Sequence, residues 1–320
     1  MTVHLETEAV AGDSQPRRRR SFAAPAWLGL APFFAFTGVA LILPILFICW
    51  QAFVKTVPGE VHRDPATHQF VHSDQTMFTV DNVQNSLSGI QATSLWTSVE
   101  LSAITALVGG VLGLLLAYAV VTSKGSALKQ IVTTASAVTA NFGGVPLAFL
   151  FIASLDANVG VVTVFLKDAF GISLLDSFGF KLPALAGITL VYLYFLIPLM
   201  VLVMMPALEG LKAQWAEAAE NLGASKAQYW RWVAAPVVLP SFLGSLLLLF
   251  CSSFSAYATV YAINSSFPVV TIRIAAVLSG NVLSGQENLG AALALDMIAI
   301  VLPMTVIYQW LQRRTSRWLA

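Results

Sequence analysis

ALEGLKAQWAEAAENLGASKAQYWRWVAA, residues 207–235, lies between two long apolar runs, and its pattern decides how the rest of the chain is read. Leu208, Leu211, Trp215, Ala218 and Leu222 recur at spacings of three and four, while Glu209, Lys212, Glu217 and Glu220 take other positions. That pattern predicts an amphipathic helix over 207–223. Gly223 supplies a left-handed stop, and Ser225 with Gln228 three residues on predicts a capping box that opens a second short helix through Tyr229, Trp230, Arg231 and Trp232. A plain linker has no need of a helical apolar stripe, two caps and three aromatics. A helix lying on lipid headgroups and a helix that docks a partner both fit the patterning.

The flanks of this unit are apolar, and the same holds along the chain. Of 320 residues, 57% are hydrophobic and only 10% charged, where a soluble domain carries roughly 25% charged residues. Apolar runs cover about 27–53, 95–122, 127–154, 183–206, 236–262 and 288–311, each near the ~20 residues that a helix needs to cross a bilayer. Backbone groups in hydrocarbon must be satisfied within a helix or a closed barrel, and continuous runs favour helices. The expected fold class is therefore all-α integral membrane with six transmembrane helices, preceded by a disordered tail over 1–25, so that 26–320 forms one transmembrane domain.

Lysine and arginine set the orientation. With the amino terminus inside, Arg17–Arg20, Lys124, Lys129, Lys212, Lys226, Arg231, Arg313, Arg314 and Arg317 fall on the cytoplasmic side, against Lys55, Arg63, Lys167, Lys181 and Arg273 outside. That bias follows the positive-inside rule and puts both termini in the cytoplasm. Arg17–Arg20 ahead of an apolar stretch resembles a secretory signal, but the run from Trp27 to about Phe53 is too long and the small Ala23 and Ala24 precede it, so an uncleaved first helix is expected. Cys49 and Cys251 sit in apolar runs as small hydrophobes. Nothing in the charge pattern suggests nucleic acid.

AEAAENLGASKAQYWRWVAAPVVLPSFLGS, with Glu217-Ala218-Ala219, Gly223-Ala224-Ser225, Pro236 and Pro240, resembles the EAA loop of binding-protein-dependent ABC importer permeases. Ala235 stands where that family usually has a leucine before the proline. The likeness runs from roughly Ser94 to Trp318, and NFGGVPLAFLF (141–151), LVYLYFLIPLMVLVMMPALEGL (190–211) and AYATVYA (256–262) are closest to the spermidine/putrescine type. The resemblance implies a type I importer permease in a bacterial inner membrane, carrying a small solute, polyamine-like by the closer likeness. Permeases for phosphonate, ferric iron, sulfate and thiamine share the plan. It also implies a second permease subunit, a pair of ATP-binding subunits and an extracytoplasmic substrate-binding protein as partners. Glu217, Ala218, Ala219, Gly223 and Ala224 would contact the ATPase. No G-x-x-x-x-G-K-[ST] occurs in the chain, so ATP hydrolysis belongs to another polypeptide. No catalytic set, cofactor or metal is expected.

Candidate path residues come from polar groups in the spans. Thr105, Gly109, Gly113 and Ala117 form a four-spaced small stripe read as helix packing. Asn141, Gly143, Gly144 and Pro146 loosen the third run, which is tolerated at membrane depth only beside protein or a water-lined cavity. Ser253, Tyr257 and Tyr261, four apart, are expected on one face of the fifth span, where tyrosine rings could hold a cation. Glu100 and Asp296 are carboxylates within apolar spans, readable as ligands for a cation or as packed, hydrogen-bonded groups. His62, His68 and His72 in HRDPATHQFVH are read as ordinary loop histidines. An ion-coupled secondary transporter would call for more intramembrane carboxylates or matched broken helices, and only one break is legible here.

Overall fold

A computed structural model describes residues 26–57, 61–63, 70–72, 75–123, 125–171, 179–279 and 288–319, so the tail over 1–25 lies outside the described residues. The chain divides into two units, Met1–Phe47 and Ile48–Ala320. In the first lie helix α1 (Ala26–Thr37), a π-helical turn (Gly38–Ile42) and the first half of α2 (Leu43–Ala52). The widened turn precedes Pro44, whose ring would clash with the Ala40 carbonyl in an unbroken α-helix.

After α2 the connection is not the open loop that its polarity suggests. It is a nested hairpin, β1 (Val54–Val57) pairing with β4 (Gln75–Phe78) and β2 (Val61–Arg63) with β3 (Phe70–His72), both antiparallel. His62 and His72 lie in paired strands, and His68 is outside the described residues. Short α3 (Asp81–Ser86) follows, tied back by Asn82 Nδ2, which donates to the Val54 carbonyl at 2.8 Å.

The bundle is built from α4 (Gly89–Thr122), the pair α5 (Ser126–Asn141) and α6 (Gly144–Leu155), α8 (Leu185–Glu209), α10 (Lys226–Ser255) and α13 (Leu289–Leu319). Among the described residues five helices are long and apolar enough to cross a membrane, and α5 with α6, bent by 102°, makes a sixth if counted as one span. Shorter helices connect them: α7 (Val161–Phe170), α9 (Ala213–Asn221), α11 (Ala258–Ile263) and α12 (Val270–Leu278).

The core sits where α4, α8 and α10 meet. Tyr192, Leu196, Met200 and Met204 of α8 are buried against Leu101 and Ala106 of α4 and Leu249 and Phe250 of α10. The small stripe lets them close. A Cβ on Gly109 would lie 3.3 Å from the Leu196 Cβ, and one on Gly113 only 2.5 Å from the Met200 Cβ and 2.9 Å from the Ile197 carbonyl oxygen. Without a hydrophobic drive between lipid-solvated helices, this close approach and its dispersion contacts supply the association. Hydroxyls on α4 satisfy themselves: Ser94, Ser98, Ser102 and Thr105 each donate to a carbonyl four residues back.

Candidate functional site: an open coupling element and two broken helices

The 207–235 unit differs from the sequence expectation in two respects. The predicted helix over 207–223 is divided: α8 runs on to Glu209, Gly210 and Leu211 turn, and α9 starts at Ala213 after Lys212 takes extended backbone. Gly210 carried that signal, since a glycine after an apolar-periodic run is a usual helix stop. An ion pair between Lys129 Nζ and Glu209 Oε1 at 2.6 Å fastens the end of α8 to the start of α5.

Both predicted caps are present. Gly223 has φ +79°, its N–H donates to the Glu220 carbonyl at 2.9 Å, and the Ala224 N–H donates to the Ala219 carbonyl at 2.9 Å. That pair of bonds is the Schellman arrangement, which needs a left-handed residue at Gly223. Ser225 and Gln228 then form the capping box, with Ser225 N–H donating to Gln228 Oε1 at 2.7 Å and Gln228 N–H to Ser225 Oγ at 3.3 Å. The second helix does not stop at Trp232. It passes through a π-helical turn, Trp230–Ala234, ahead of Pro236, and continues as α10 to Ser255, so the short helix and the fifth span are one rod.

No residue of α9 is buried. Trp215, Ala218, Ala219 and Leu222 line a groove against α10, while Glu217 and Glu220 fall on the opposite side at 3.6 residues per turn. Of the five residues that the resemblance singles out, Glu217 thus faces away from the bundle and Ala218 and Ala219 face the groove. Gly223 is an open turn, with nothing within 4 Å of an added Cβ, and Ala224 is half-buried.

At the other end of the bundle two helices break. The α5–α6 break at Gly143–Gly144, with φ +75° at Gly144, is filled by α11: the Gly144 N–H donates to Thr259 Oγ1 at 2.9 Å, and Thr259 Oγ1 donates to the Gly144 carbonyl at 3.3 Å. One hydroxyl therefore satisfies the first N–H of α6 and makes a second contact with the Gly144 carbonyl, easing the break in a non-aqueous surrounding. Asn141 is exposed, and its amide donates to the Ala137 carbonyl of its own helix at 2.8 Å. The break is about 22 Å along α5, past the middle of a ~30 Å hydrocarbon layer.

A second break, between α10 and α11 at Ala256–Tyr257, was not legible in SFSAYATV, which has neither glycine nor proline. Its released Ala256 carbonyl accepts from Tyr192 Oη at 3.3 Å and from Thr271 Oγ1 at 3.4 Å. This break corrects the expectation that Ser253, Tyr257 and Tyr261 share a face. Ser253 is buried, 2.8 Å from Thr105 Oγ1, and belongs to the core seam. Tyr257 and Tyr261 stand beyond the break, exposed, with rings stacked at 5.1 Å.

Neither carboxylate joins them. Glu100 is exposed on α4, about 33 Å of helix from Thr122. Asp296 is 9% exposed on α13 beside Ser86 of α3, with Oδ2 unpartnered, which places it in the packing of α13 against α3. Cys49 and Cys251 are free and half-buried, and no cluster of three or more metal-ligating side chains occurs among the described residues.

Residues 109–317 match the family model described as binding-protein-dependent transport system inner membrane component. The chain belongs to that family. Its members are membrane permease components rather than enzymes, and the matched stretch contains the whole 207–235 unit. Among relatives, the chain is 26% identical over 170 residues to the molybdenum transport system permease protein of Escherichia coli K12, covering 53% of this chain and 71% of that protein. It is 24% identical over 152 residues to a probable sulfate transport system permease protein of Chlorella vulgaris, covering 47% of this chain but only 57% of that relative. In fold it is similar to a chain of a bacterial ABC transporter that imports alginate, with a TM-score of 0.64, 16% identity, and 91% and 95% of the two chains covered. A second structure, of a bacterial alginate ABC transporter with a pentasaccharide-bound periplasmic protein, gives 0.63. The spermidine/putrescine likeness finds no counterpart among these relatives.

Proposed function

We propose that this chain is one permease of a type I ABC importer, with α9 on the cytoplasmic side held by a separate ATPase and with both termini cytoplasmic. The observation that carries the reading is the state of α9. It is a capped helix with an acidic outer face, fully unburied, and joined through Gly223 and a capping box to a rod that runs 30 residues into the bundle. Glu217 and the Gly223–Ala224 turn meet the ATPase, and Ala218 and Ala219 let α9 lie near α10. Closure of two ATPases on ATP would then tilt α9 and swing α10 with it.

The paired breaks form the mouth through which a solute enters from an extracytoplasmic binding protein, with Asn141, Tyr257 and Tyr261 around it and a second permease closing the far side. The solute proposed is a small oxyanion of the sulfate or molybdate kind rather than a polyamine. Support comes from the relatives named above. Uptake into vesicles holding the full complex tests this. Labelled sulfate or molybdate should accumulate with ATP and persist after the ion gradient is collapsed; accumulation of putrescine alone would restore the polyamine reading, and loss with the gradient would favour a secondary transporter.

A further inference from the structure

Between α9 and the bundle lies a cavity of about 880 Å³, lined by Trp215, Ala219 and Leu222 of α9, Trp232, Val237 and Leu243 on the α10 rod, and Leu311 of α13. Its lining carries no charged side chain. The side chains there are large, apolar and uncovered: Leu222 is 88% exposed, Trp232 70% and Leu239 51%. Packing within the chain leaves this space open, and a protein in water does not keep a patch of this kind bare.

Two observations say what covers it. The first is level. Pro236 to Leu243 are the opening turns of a membrane span and Leu311 is near the close of another, so the cavity sits at the boundary of acyl chains and headgroups, where the paired tryptophans are also at home. The second is charge. The Arg231 guanidinium lies over the ring of Trp232, which lines the groove, at 5.4 Å. Glu217 and Glu220 are on the far side of α9, so a cation adjoins the groove while its floor is apolar.

We infer that an anionic phospholipid of the inner leaflet occupies this groove, its acyl chains along Val237, Leu239 and Leu243 and its phosphate against Arg231. The lipid is a filler between the lever and its rod: α9 rests on it, and tilting α9 toward α10 must displace or compress it. Lipid composition then sets how readily ATP-driven motion reaches the span. The inference rests on α9 being cytoplasmic, and labelling of Ala213→Cys by an impermeant maleimide in inside-out but not right-side-out vesicles establishes that side separately.

The test uses the assembled importer in vesicles, with a photoreactive residue replacing Leu239 and either phosphatidylglycerol or phosphatidylcholine as the variable lipid. Irradiation should give phosphatidylglycerol adducts in preference to phosphatidylcholine adducts. R231Q should weaken that preference by about fivefold, one basic group at a membrane surface being removed. Equal capture of both lipids would overturn the headgroup assignment, and capture of the ATPase polypeptide would show that protein fills the groove. Should the variant fail to assemble, the headgroup preference of the parent complex decides alone.

Discussion

Small residues at helical spacing occur in two regions of this molecule and come to opposite ends. On α4, Gly109 and Gly113 are overlain by Leu196 and Met200, and the Thr105 hydroxyl meets Ser253 across the seam. On α9, Ala218, Ala219 and the Gly223 turn are covered by nothing of this chain beyond the flank of a groove. The first set has its partner built in. The second keeps backbone accessible after folding is complete, which is how the surface proposed to meet another polypeptide differs from a core.

The sharpest way to break that contrast is at Gly223. Gly223→Asp should abolish ATP-driven uptake while leaving membrane insertion intact. Gly223→Asn, which tolerates left-handed backbone, should retain most of it. Equal loss in both would make the turn's shape irrelevant. Next in size is the core seam: Gly113→Val should reduce the yield of folded protein several-fold, because overpacking costs about 1–3 kcal/mol, while Gly125→Ala, with only ordinary van der Waals contacts, should change little. Thermal aggregation of the detergent-solubilised chain would separate the two.

A smaller effect is expected at the breaks. Thr259→Val strands the Gly144 N–H at a cost of about 1–3 kcal/mol, and Thr259→Ser should restore the melting temperature. Smallest is Tyr257→Leu, which should lower solute uptake more than basal ATP hydrolysis. A parallel fall in both would make Tyr257 a packing residue.

How much of this was legible in the sequence follows from range. Gly223, Ser225 and Gln228 act within four residues of themselves, and the caps they signal are present. Apolar runs also declared their own spans. Legibility failed where the cause lies in another helix. The break at Ala256 is made tolerable by Tyr192, 64 residues away, and by Thr271, and Ser253 turned inward because Thr105 waits 148 residues away. The polar hairpin at 54–78 read as loop because its strands are only three or four residues long.

The most direct measurement places a photoreactive residue at Glu217, and separately at Glu220, in the assembled importer. Adducts to the ATPase subunit, with an intensity that changes between ATP-free and ATP-trapped states, are the predicted result. Adducts to lipid alone at both positions, in a complex that still transports, would contradict the claim that this helix is the lever.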